Sequence, residues 1–118
     1  MNKQEFVDAI RLVVSKSAIE ATVESMEAPP GRRPPQELVE RSEWYRSLSE
    51  NDRLMVSRAV SESVHEAVFG FLCVLDGVRS ISDIDETNQL TLNKGMGKNA
   101  IQLNSEDGEY LHDLYNAV

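Results

Sequence analysis

The chain has a single cysteine, so it cannot close an internal disulfide, and nothing in its cysteine usage points to an oxidising compartment. It also lacks an apolar run near the ~20 residues that a membrane helix needs. The longest, "AVFGFLCVL" at 67–75, has the length of a core segment. The opening "MNKQEFVDAIRLVV" sets one lysine just ahead of Glu5 and Asp8 and offers no small-residue cleavage site, a poor match to a secretory signal. These absences together predict a cytoplasmic protein.

Basic residues are scarce in one half only. Residues 59–118 hold three of them (Arg79, Lys94 and Lys98) against ten acidic ones, whereas residues 1–58 hold nine against ten. Most of the net charge of −8 therefore sits in the second half. That half would repel nucleic acid or an anionic membrane and attract a basic protein. Solubility alone is the competing explanation of the same charge.

What is present reads as one domain over residues 1–118, long enough to bury a core of its own. Phe6, Ile10, Val13, Val14, Ser17 and Ala21 recur at three- and four-residue steps and predict a helix from Lys3 to about Met26. "APPGRRPP" at 28–35 contains all four prolines and ends it. The alternative reading, a proline-rich ligand, lacks the PxxP spacing. Proline then suits the first turn of a second helix, "QELVERSEWYRSL".

Ser49 followed by Asp52 predicts the cap of a third helix over 50–76. Its apolar line is Val56, Val60, Val64, Ala67, Phe71 and Leu75, reinforced by Ala59, Ser63, Val68 and Leu72, and the all-round apolar second half predicts cover on both sides. Gly77 is placed to end it. Beyond that point "QLTLN" and "NAIQLN" alternate and predict a hairpin, and Ser105 is placed to cap a closing helix with Leu111, Leu114, Tyr115 and Val118 inward. The expected fold class is α+β: three N-terminal helices, a small antiparallel hairpin and a short C-terminal helix.

Each motif that hints at chemistry has a plainer reading. "NKGMGKNA" at 93–100 resembles a phosphate loop, but its glycines are two apart, no hydroxyl follows Lys98, and a strand follows where a helix is needed. A turn with positive φ at Gly95 and Gly97 explains it. Glu62-x-x-His65 and Glu109-x-x-His112 repeat the unit used by di-iron bundles. With Val60 taken as the core direction, Glu62 falls at about 200° and His65 at about 140°, away from any bundle core. "DIDETN" at 83–88 begins like a calcium loop, but Asn88 and Lys94 stand where glycine and glutamate are required. Cys73 lies in the apolar segment, where a thiol stays protonated, and His65 is two turns away. No catalytic, metal or cofactor residue is assigned.

Two stretches, "FGFLCVLDGV" at 69–78 and "QLNSEDGEYLHDLYN" at 102–116, together resemble small, acidic, uncharacterised bacterial proteins. Some of those are encoded near polymorphic toxins and are regarded as immunity proteins. The resemblance covers the second half of the chain, and it implies a protein that binds and blocks a partner. The expected function is thus a non-enzymatic acidic module that engages a basic protein. The contact set would be Asp76, Asp83, Asp85, Glu86, Glu106, Asp107 and Glu109, with Trp44 as an exposed anchor. The alternative is a small-molecule-binding or regulatory domain, with a homodimer formed through an apolar helix face.

Overall fold

The computed structural model describes residues 1–81 and 90–117. The described residues are mostly helical, with one two-stranded antiparallel sheet and a short closing helix, an α+β arrangement. Four helices precede the sheet, not three. The predicted first helix is divided into α1 (Lys3–Ile10), a π-helical segment (Arg11–Lys16) and α2 (Ser17–Glu27). They are followed by α3 (Gln36–Ser47), α4 (Glu50–Leu75), β1 (Asn93–Lys94), a 3-10 turn (Gly97–Asn99), β2 (Ile101–Gln102) and α5 (Leu111–Asn116).

The π segment explains why the first apolar stripe is misplaced. A π turn holds about one residue more than an α turn, so the pattern downstream rotates by about 100°. Val13 is 67% exposed and Val14, Ser17 and Ala21 are also exposed, while Ser15 is fully buried.

Two compact units are present. The first comprises residues 1–14 and 66–118, the second residues 15–65. In the second, α2 packs on α3, with Met26 and Tyr45 buried. The Ser42 hydroxyl donates to the Glu27 carbonyl at 3.3 Å and Arg41 donates to the Ser25 hydroxyl at 3.1 Å. Ser49 caps α4 as its sequence predicts, its Oγ accepting from the Asp52 amide at 3.1 Å. Arg53 donates to the Leu48 and Arg46 carbonyls and stacks over Tyr45, which closes the turn between α3 and α4.

In the first unit the core is Val7, Leu72, Leu111 and Tyr115, with Phe6, Val68, Phe69, Leu75 and Leu114 packed around it. The inward face of α4 is therefore Val68, Phe69, Leu72 and Leu75. Phe71, expected in the core, is 61% exposed, and Ala67 is exposed as well. An all-round apolar run carries no directional signal, and only one of its faces meets this core.

The end of α4 is read correctly from its sequence. Gly77, at φ 77°, sends its amide to Val74, and the Val78 amide reaches Cys73, a Schellman ending. Arg79 folds back so that its guanidinium lies over Gly70, in space that any side chain there would occupy.

The hairpin is shorter than its alternation suggests: Asn93 faces Gln102 and Lys94 faces Ile101. Gly95 (φ 89°) and Gly97 (φ 63°) make the turn, as expected from "NKGMGKNA". Two residues per strand form too small a ladder to hold themselves. Buried Asn104 makes up the deficit. Its Nδ2 donates to the Leu75 and Leu90 carbonyls at 2.7 Å each, and its Oδ1 accepts from the Leu92 amide at 2.8 Å.

Candidate docking surface

The closing helix begins at Leu111, not after Ser105, and Ser105 does not cap it. Six residues are too few to sustain a helix alone, so both ends are held from elsewhere in the unit. At the N-terminal end the Asp76 carboxylate accepts from the Leu111 amide at 3.1 Å and the His112 amide at 2.9 Å. It also accepts from His112 Nδ1 at 2.7 Å. At the C-terminal end Arg11 donates to the Leu114 and Tyr115 carbonyls at 3.2 and 2.6 Å and lies over the Tyr115 ring. An anion at the positive end of the helix and a cation at the negative end are the charges its dipole favours.

This arrangement settles where several expected contact residues lie. The Asp76 side chain is only 2% exposed and fully engaged, so it is a structural cap and offers nothing to a partner. His112 is mostly covered, wedged between Asp76, the edge of Phe69 and the stacked ring of Tyr110. The carboxylate that caps the helix also captures its ring. A carboxylate can only accept, so Nδ1 carries the proton. Glu109 is exposed, and the acidic partners of His112 among the described residues are Asp76 and Asp113. Among the described residues no group of three or more His, Cys, Asp or Glu could hold a metal ion.

Cys73 is buried, and burial pushes its thiol above the ordinary value of 9.0. Arg79 offsets part of that rise, and the Asp76 and Asp113 carboxylates add to it. This is the opposite of an activated nucleophile. Because the folded value is raised, the shift stabilises the fold fully below the ordinary thiol value and is lost as pH climbs through the raised one. Native protein at pH 7.5 (about 1.5 units below the free thiol's value) is expected to resist iodoacetamide, and urea-unfolded protein to react fully. Rapid native labelling would contradict this burial.

Three of the remaining acidic residues of the described second half, Glu106, Asp107 and Glu109, lie on one loop. Lys3 spends all three ammonium protons on its carbonyls, donating to Ser105 at 2.6 Å, Asp107 at 2.7 Å and Glu109 at 3.0 Å. With its carbonyls turned to Lys3, the loop leaves Glu106, Asp107 and Glu109 exposed. Gly108, at φ 80°, permits that curl. Asp83, Asp85 and Glu86 lie outside the described residues. Trp44 is 52% exposed on α3, in the other unit.

Beside the loop, α1 and the hairpin enclose two open grooves. One, of about 510 Å³, is lined by Lys3, Ile101, Leu103, Leu114, Asp107 and Glu109, among others. The other, of about 500 Å³, is walled by Phe6, Ile10, Val13, Val14 and Leu92, with Lys94 at its edge. Met1 and Leu103 line both.

Sequence reasoning missed Lys3, Arg11 and Asn104 because each works on backbone groups distant in the chain, 12 to 29 residues away for Asn104 and more than a hundred for Lys3 and Arg11. Only the isolation of Lys3 ahead of an acidic stretch hints at its role. No protein-family model, curated protein or solved structure matches the chain.

Proposed function

We propose that the chain is a non-enzymatic binding protein, immunity-like in that it masks a basic protein partner, and that the loop Ser105–Glu109 is its recognition element. The observation that carries this reading is the Lys3 clamp: three hydrogen bonds fix the loop backbone, and the carboxylates of Glu106, Asp107 and Glu109 stand free on its outer side. A loop ordered before binding loses less entropy when a partner arrives. Exposed carboxylates on such a loop speed association with a cationic surface and make it salt-sensitive. The acidic balance of residues 59–118 and the resemblance to immunity proteins support the same reading.

The test is capture from the native cell, followed by kinetics with the recovered protein or with the product of a neighbouring toxin gene. A basic partner is expected, with affinity falling as salt rises. Joint substitution Glu106→Lys, Asp107→Lys and Glu109→Lys should slow association at least about tenfold. A second set, Asp83→Asn, Asp85→Asn and Glu86→Gln, measures what that segment adds. A partner bound equally well by both sets would sink the proposal.

Lys3→Met keeps the aliphatic stem and removes the three donors. It is expected to cost about 1–2 kcal/mol and to speed amide exchange selectively across residues 105–109. Unchanged exchange there would show that the clamp does not order the loop.

A further inference from the structure

We propose that Asp107–Gly108 is a self-modification site, where the backbone rearranges through a cyclic imide to an isoaspartyl linkage and turns one carboxylate of the loop Ser105–Glu109 from its outer to its inner side. The consequence for partner binding rests on the acidic-loop reading above; the chemistry stands apart from it.

Aspartate followed by glycine is the pairing most open to attack by the next backbone nitrogen on the side-chain carboxyl, because glycine has no side chain to crowd the approach. The chain has two such pairs, Asp76–Gly77 and Asp107–Gly108, and no Asn–Gly pair. The two differ at both reacting groups. The Asp76 side chain is 2% exposed and its carboxylate accepts three hydrogen bonds, while the Gly77 amide donates to the Val74 carbonyl at 3.1 Å. Neither group is released unless the end of α4 opens. Asp107 and Gly108 are both exposed. Among the described residues the Gly108 amide has no hydrogen-bond partner. Beyond its chain neighbours, no described atom lies within 4 Å of the position a Cβ would take at Gly108. The ring has room to close there.

The step begins when the Gly108 nitrogen bonds to Cγ of the protonated Asp107 carboxyl. The amide proton and the carboxyl hydroxyl leave as water, and a five-membered imide remains. Water then returns at either imide carbonyl. Addition at Cγ breaks the new N–Cγ bond and restores aspartate. Addition at the original Asp107 carbonyl breaks the peptide C–N bond, and the chain then runs through Cβ and Cγ.

Lys3 directs that choice. Its ammonium donates to the Asp107 carbonyl oxygen at 2.7 Å, so it favours the negative charge that builds on that oxygen as water adds. Ring opening is thereby steered to the isoaspartyl product. In that product the former carbonyl is a carboxylate on the Lys3 side, where the ammonium pairs with it. The former side-chain carboxylate becomes a neutral backbone amide. Net charge is unchanged, but the outer side of the loop keeps only Glu106 and Glu109. The extra backbone carbon also lengthens the path between the Ser105 and Glu109 carbonyls that Lys3 holds. An aged loop is therefore a weaker attractor of a cationic surface.

The test incubates the full chain in heavy-oxygen water at mildly acidic pH, where part of the carboxyl population is protonated, and maps isoaspartate by electron-transfer fragmentation. Trypsin separates the two sites onto the peptides 59–79 and 99–118. In the native chain isoaspartate is expected to form at least about tenfold faster at 107 than at 76, where reaction waits for local opening, and at comparable rates in urea. Comparable native rates, or no isoaspartate at 107, would overturn the site. Among molecules that take up label at 107, the isoaspartyl fraction should fall in Lys3→Met; an unchanged or higher fraction would overturn the role of Lys3. Asp107→Glu keeps the charge but needs a six-membered ring, so it should give no isomer. Aged wild-type chain should associate with the basic protein recovered from the native cell at least about twofold more slowly than fresh chain, while aged Asp107→Glu keeps its rate. If isoaspartate forms and association is unchanged, the modification site stands and the acidic-loop reading falls. If none forms while the triple lysine variant slows association, the loop reading stands and the modification site falls.

Discussion

Replacing Asp76 with alanine is expected to lower the stability of the unit formed by residues 1–14 and 66–118 by about 3 kcal/mol. The sum has two parts. Losing an N-cap costs about 1 kcal/mol, and stripping a mostly covered imidazole of a charged partner costs about 2 kcal/mol more. Urea denaturation followed by near-ultraviolet dichroism of Tyr110 and Tyr115 would read it. Asp76→Asn should fall between, at about 1.5 kcal/mol, because one amide oxygen can still accept while the NH₂ confronts a backbone N–H. The Leu111 and His112 amides should lose most of their exchange protection in both variants. A loss under 0.5 kcal/mol in Asp76→Ala would show that α5 is held by its apolar contacts alone.

That prediction also marks where the sequence ceased to be informative. The Ser49 cap, the helix end at Gly77, the glycine turn of the hairpin and the inward Leu111, Leu114 and Tyr115 were all legible, because each depends on neighbours a few residues away. Asp76 was not. Beside Gly77 it looks like one more exposed acid after a helix, and its real partners are 35 and 36 residues further along. Phe71 fails for another reason: where every position is apolar, periodicity cannot say which face is covered. The π segment hides in "RLVVSK", whose composition is compatible with an ordinary helix, and its extra residue per turn misdirects the stripe.

The candidate surface was partly legible. The acidity of residues 105–109 is plain in "SEDGE", but that this loop is a fixed platform depends on Lys3, more than a hundred residues earlier. The same long-range logic recurs through the unit. Lys3 holds a loop, Arg11 holds the end of α5, and Asp76 holds its start, each with a side chain of the sign that the backbone groups require. Short elements carry little stability of their own, and here distant charged side chains fix them.

Asn104→Leu should be as damaging as the loss of Asp76, again about 3 kcal/mol, and its consequences should spread further. The residue is 8% exposed, and its amide uses both donors and its acceptor on three backbone groups. Leucine matches its size but leaves the Leu75 carbonyl, the Leu90 carbonyl and the Leu92 amide without that partner, at about 1 kcal/mol each. Leu75 is the last residue of α4, and Leu90 and Leu92 lead into β1, so this one amide ties the helix end to the hairpin. Asn104→Asp is the sharper test: a carboxylate can accept from Leu92 but places oxygen against the two carbonyls, so it should be no better than leucine and worse at high pH. Thermal melts, with amide exchange at Leu92 and Leu103, would report both variants. If Asn104→Asp kept near-native stability at pH 8, where a free aspartate is ionised, the amide's donors would not be what holds the hairpin to α4.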